Sequence, residues 1–208
     1  MQAPTGRTAL LVIDMQNSFC HPDGALYRPL GAPLAGIEDV VPSCRAAVRA
    51  AHRSDIPVLF TRHGFAPDYS DAGPVFTQYA DHLAERGGLL RGSWDSEIIE
   101  DLERDPTDEV IDKNRMDSFY GTNLDQVLQS QGTTSLVLVG VVTNACVEST
   151  TRSAAMRDYP VELLADCCAG VTREHHDMSL ECLHAYQFAN VTTLADALSG
   201  SLAGLPVG

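Results

Sequence analysis

The stretch LVLVGVVTNACVESTTRSAAMRDYP, residues 136–160, passes from strand to helix within twenty-five residues. Leu136–Val142 is an apolar run without alternation, as a strand buried on both faces of a parallel sheet requires. A helical segment follows from about Ala145 to Arg157 and stops ahead of Pro160, because the residue before a proline disfavours helical backbone. A buried strand feeding a helix is half of a βαβ unit, so similar pairs are expected on either side.

Working outward, Thr8–Ile13 (TALLVI) and Ile56–Thr61 (IPVLFT) read as two more buried strands. Glu109–Ile111, Val161–Ala165 and Val191–Leu194 complete a set of six. Helices fall between them. Val41, Cys44, Ala47, Val48 and Ala51 recur at spacings of three and four and so share one helical face, with Pro42 near the first turn. Leu124, Val127 and Leu128 mark a second helix closed by Gly132, and His175–Tyr186 reads as a further one. The fold class is α/β with a parallel sheet. The chain reads as one domain over residues 1–208, interrupted by a long insertion at 64–108. That insertion carries helical patterns around Asp81–Arg86 and Ser96–Arg104; a lid or an interface element are the functional readings, a surface excursion the plain one. The last ten residues, SGSLAGLPVG, read as a loose tail or an exchange arm.

Fourteen Lys and Arg stand against 28 Asp and Glu, a formal charge of -14. Such a surface repels phosphate backbones and anionic headgroups, which argues against nucleic-acid and membrane partners. The apolar run Ala9–Ile13 is too short for an export signal and ends at Asp14. The six cysteines are therefore read as reduced thiols, and the protein as cytoplasmic.

Ligands of an open parallel sheet bind beyond the carboxyl ends of its strands. Asp14 directly follows the first strand, His63 lies two residues past the second, Lys113 follows the third, and Cys146 opens the helix after the fourth. Asn144 suits the N-cap of that helix, whose free first-turn amides favour a thiolate and can hold an oxyanion. Asp14 reads as the base that takes the thiol proton, and Lys113 as the cation that offsets their negative charge. Singly, a buried structural cysteine, a loop cap and a surface charge are the competing readings; together the three favour chemistry.

Three longer segments strengthen that reading. LLVIDMQNSF (10–19), VIDKNRMDSFYGTNL (110–124) and GVVTNACVESTTRSAAMRDY (140–159) are similar, in order and spacing, to the three motif segments of the isochorismatase-like cysteine hydrolases. That family includes N-carbamoylsarcosine amidase, nicotinamidase, ureidoacrylate and biuret hydrolases, and streptothricin hydrolase. The resemblance implies a three-layer α/β/α sandwich with strand order 3-2-1-4-5-6 and a triad of Asp14, Lys113 and Cys146. It implies a cis peptide between Val141 and Val142, with the Val142 and Cys146 amides as the oxyanion hole. The implied reaction is hydrolysis of a small-molecule amide, lactam or ureido C–N bond through a thioester, with no cofactor, in a homo-oligomer (dimer or tetramer).

Two departures narrow the expectation. Nicotinamidases carry Asp-Trp-His after the second strand as part of a metal site, whereas this chain reads Thr61-Arg62-His63, so no metal is expected and His63 is read as a substrate contact or a hydrogen-bonding residue of the rim. A metal-dependent amidase of the same fold, or a non-catalytic member, are the alternatives. True isochorismatases lack the cysteine. Phe19, Trp94, Tyr120 and Asn144 are further candidates for the substrate pocket, with Phe119 beside them. Cys167-Cys168, which follow the fifth strand, could line its far wall; with His175-His176 they match zinc spacing poorly and read as structural.

Overall fold

The computed structural model describes residues 6–74, 76 and 83–203. Six strands form one parallel sheet: β1 (Arg7–Ile13), β2 (Val58–His63), β3 (Glu109–Lys113), β4 (Thr133–Val141), β5 (Val161–Ala169) and β6 (Asn190–Thr192). Their spatial order is β3-β2-β1-β4-β5-β6, so the chain reverses direction across the sheet between β1 and β4. Crevices at such reversals are where open α/β sheets bind ligands.

Strand periodicity divides the core in two. Leu10 and Val12 of β1, with Val137, Val139 and Val141 of β4, face the long helix α2 (Ile37–Arg53), after the single turn α1 (Asn17–Cys20). Leu11 and Ile13, with Leu136 and Leu138, face α3 (Leu124–Ser130), α4 (Glu148–Ala155) and α5 (Arg173–Ala185). The last helix, α6 (Leu194–Ser199), buries Ala197 on the α2 side. Both faces of the central strands are thus covered, which is why they read as unbroken apolar runs.

β1 and β4 pair along their length, from Thr8 opposite Ser135 to Ile13 opposite Gly140. Gly140 has φ +122, and a Cβ there would lie 2.1 Å from the Ile13 carbonyl oxygen, so only glycine fits. The peptide bond between Val141 and Val142 is cis.

Several boundaries differ from the sequence reading. β2 begins and ends two residues later than expected, and β3 extends to Lys113, so His63 and Lys113 are the final residues of adjacent strands rather than loop residues. β5 continues through Asp166, Cys167 and Cys168, burying the cysteine pair on opposite faces of the sheet rather than beyond its end. α2 starts at Ile37, which puts Pro42 in the second turn; its flank is exposed, where water can serve the carbonyl that proline leaves without a donor. Leu194 opens α6 instead of closing β6.

The 64–108 segment is anchored: Phe65, Leu89, Ile99 and Leu102 join the α2-side core. Around Ser96–Arg104 it makes only two short 3₁₀ turns, Trp94–Ser96 and Glu100–Leu102, and part of the pattern expected at Asp81–Arg86 lies outside the described residues. The tail is tied down at its start, since Leu202 is buried and its N–H donates to the Ala197 carbonyl at 2.8 Å; residues 204–208 lie outside the described residues.

Candidate active site

Four strands end at one rim. β1 delivers Asp14, β2 delivers Thr61 and His63, β3 delivers Lys113, and the turn after β4 delivers Cys146. All five side chains are buried. Asp14 has left-handed backbone, φ 51, as β1 breaks into the loop. Its N–H donates to Thr61 Oγ1 at 3.1 Å, and the Thr61 hydroxyl donates to Asp14 Oδ1 at 2.6 Å. One carboxylate oxygen is thereby aimed and the other left for the cation.

Lys113 crosses from the edge strand to bring Nζ within 2.7 Å of Asp14 Oδ2, with both side chains sealed from solvent. The ammonium donates to the Arg115 and Met116 carbonyls at 2.9 and 3.1 Å. Asp14 Oδ2 therefore holds an ion-pair contact and no well-aligned hydrogen bond. Burial opposes the charge on Lys113, but the Asp14 carboxylate and the Cys146 sulfur outweigh it and its pKa is raised.

Cys146 sits in a wide turn, Thr143–Val147, closed by a Val147 N–H to Val142 carbonyl bond of 3.2 Å. Asn144 does not cap it. It lies inside the turn with non-helical backbone, and its Oδ1 accepts from the Val171 N–H at 3.1 Å. Burial pushes the Cys146 thiol up to about 12; Lys113 pulls it down and Asp14 pushes it up. The helix amides alone would lower this pKa; desolvation of the thiolate, the first cause, moves it the other way. The resting sulfur is a thiol, and an adjacent base is needed to make it a nucleophile.

His63 completes the cluster. Burial, then Lys113, hold its pKa down, to about 3, so the ring is neutral. Its Nε2 is buried without a hydrogen-bond partner. One donor atom each from Asp14, His63 and Cys146 lies within 4.8 Å of the others, the kind of N, O, S set that can ligate a metal. The Lys113 ammonium against Asp14 opposes a second cation there.

The other sequence candidates differ in exposure and contacts. Trp94 is 52% exposed and meets the His21 ring edge-on at 5.0 Å; Tyr120 is 64% exposed. Phe19 is buried in the α2-side core, and Phe119 stacks on Tyr159 at 6.1 Å. Of the histidine pair, His176 is buried with Nδ1 2.9 Å from the Thr143 hydroxyl.

Thr61 and Gln16 were missed. Gln16 is buried and bonds three ways: it accepts from the His63 N–H at 2.9 Å and donates to the His63 and Ser96 carbonyls at 2.8 and 2.7 Å. It fixes the end of β2 against the insertion. The available signal was polarity on a core-facing register: Thr61 shares its strand face with the buried Leu59, and a buried hydroxyl demands a partner.

The isochorismatase domain family matches residues 8–196, and the chain belongs to it. Ureidoacrylate amidohydrolase RutB of Methylobacterium radiotolerans is 36% identical over 197 residues, covering 89% of this chain and 73% of the relative. Among solved structures, a cysteine hydrolase from Pseudomonas syringae pv. phaseolicola 1448A superposes with a TM-score of 0.83 at 29% identity, covering 96% of this chain and 97% of the other. N-carbamoylsarcosine amidase from Thermoplasma acidophilum gives a TM-score of 0.71 at 26% identity, covering 90% and 96%. The protein is a hydrolase acting on carbon–nitrogen bonds. Among the described residues, no helix is long and apolar enough to cross a membrane.

Proposed function

We propose that the protein hydrolyses a ureido or amide C–N bond of a small acid related to ureidoacrylate, with Cys146 as nucleophile. The observation that carries this reading is the sealed Asp14–Lys113 ion pair beside the Cys146 sulfur. Burying two charges is costly, and a fold retains such a pair most readily where the charges work.

Asp14 accepts the thiol proton as sulfur attacks the carbonyl carbon. The oxyanion rests on the Val142 and Cys146 amides. The intermediate collapses, the C–N bond breaks, and protonated Asp14 gives its proton to the departing nitrogen. A water, deprotonated by Asp14, then attacks the thioester, and the thiolate leaves and recovers the proton. Lys113 stays charged throughout and balances the negative charge that passes between carboxylate and sulfur. His63, neutral with a free Nε2, meets the substrate's polar edge.

The test is ammonia or amine release from a panel of ureides and amides, with acid-quenched mass spectrometry of the Cys146 peptide. An adduct on Cys146 during turnover supports the thioester. Turnover retained by Cys146→Ala refutes it. A second reading, a metal-dependent amidase, is favoured by the Asp14, His63 and Cys146 cluster alone. Loss of turnover on chelation, restored by added metal, would establish that one instead.

A further inference from the structure

A cavity of about 350 Å³ has Gly73, Phe76, Arg115, Met116, Asp117 and Ser149 among its lining residues. Its size suits a small molecule. Three contacts tie it to the site. The Lys113 ammonium bonds the carbonyls of Arg115 and Met116. The Phe76 ring lies 5.8 Å from that of His63. Ser149 is one helical turn beyond Cys146.

The cations nearby are mostly neutralised. Lys113 pairs with Asp14, Arg91 with Asp71, and Arg62 with Asp112 and Glu97. Arg115 differs. Its Nη1 donates to two neutral acceptors, the Asp71 and Asn114 carbonyls, at 2.8 and 2.7 Å. Among the described residues no carboxylate pairs with it. The two bonds fix the guanidinium while Nε and Nη2 stay without a described hydrogen bond. Nη2 lies where a Cβ on residue 73 would come within 2.4 Å, so Gly73 makes room for it.

The acids of this wall are already occupied. Asp117 accepts from the Phe119 N–H and the Ser153 hydroxyl, each at 2.8 Å. Asp71 takes Arg91, the Ala66 N–H and the Asn114 amide. The positive field of Arg115 extends to the cluster, since it adds to the lowering of the His63 pKa behind burial and Lys113. A half-buried, oriented guanidinium with no carboxylate partner among the described residues, in an otherwise strongly acidic chain, is a receptor for a carboxylate, which it can grip through two parallel N–H bonds.

We propose that Arg115 anchors the carboxylate of the substrate, whose acid end fills the Gly73–Phe76–Met116 cavity while its ureido carbonyl lies at Cys146. This rests on the hydrolase reading above. It makes Arg115 a specificity-determining residue and sets acids apart from neutral ureides.

The experiment measures binding of ureidoacrylate and of its neutral carboxamide to the Cys146→Ala protein by calorimetry. The acid is expected to bind about 10–100-fold tighter than the amide, the range of a charge-assisted pair. Adding Arg115→Gln is expected to bring that ratio close to one, and Arg115→Lys to leave part of it. In the active enzyme Arg115→Gln is expected to raise KM for the acid far more than it lowers kcat. Equal binding of acid and amide by Cys146→Ala, which needs no change at Arg115, overturns the proposal. So does a ratio that survives Arg115→Gln. Acid preference without turnover of either compound would sink the hydrolase reading and leave the anchor standing; turnover without acid preference would sink the anchor alone.

Discussion

Cys146 and Cys44 are both buried thiols, on opposite faces of the same sheet. Burial raises the pKa of each. Cys44 sits in the core under α2, and its Sγ donates to the Cys167 carbonyl at 3.2 Å, a contact that consumes the proton and offers no base. Cys146 has a carboxylate and an ammonium beside it. Seclusion raises both thiols, and only one of them has an ion pair beside it, which is the basis of the role proposed for Cys146.

The sharpest way to break this comparison is to delete each sulfur. Cys146→Ala is expected to reduce turnover by at least about 10⁴-fold, the scale of losing a nucleophile. Cys44→Ala is expected to leave turnover within about twofold and lower stability by about 1 kcal/mol in urea titrations, the scale of a small core deletion. Equal losses of activity would erase the distinction.

Alkylation follows. With a pKa of about 12, the thiolate fraction of Cys146 rises about tenfold per pH unit from neutrality and levels off only near that value. Iodoacetamide labelling read by peptide mass spectrometry is expected to mark the exposed Cys182 first at pH 8, with Cys146 accelerating at higher pH. A plateau for Cys146 below pH 8 would mean a preformed thiolate.

Lys113→Met should act through the carboxylate it abandons. A buried charge that loses its partner costs about 3–5 kcal/mol, read by urea unfolding, and turnover should fall with it. Adding Asp14→Asn should return part of the stability and none of the turnover. The smallest effect is expected from Thr61→Val, which removes the bond that aims Asp14: about 1 kcal/mol of stability and about tenfold in kcat.

Much of this was legible before any coordinates. Unbroken apolar runs marked β1 and β4 because strands covered on both faces have no polar register. The residues following those runs placed Asp14 and Cys146 at one edge. What stayed hidden depended on contacts between distant strands. Nothing local to Thr61 announces a bond to Asp14, since the partner is 47 positions away and enters through β1–β2 pairing. The thiol's pKa was misjudged for a related reason: helix amides can be inferred from neighbouring sequence, whereas the depth of burial depends on the whole packed rim. Arg115 was within a quoted motif, but that no described carboxylate pairs with it becomes visible only once Asp71 and Asp117 are seen to have other partners.

Gly140 carries no functional group, yet it gauges the site. Its missing side chain lets β4 close on the Ile13 carbonyl, one residue short of Asp14 and six short of Cys146. The gap between the Asp14 carboxylate and the Cys146 sulfur is thus calibrated by bare backbone. Even a methyl group at that seam would wedge the two apart, and the damage would be felt as geometry before it was felt as instability.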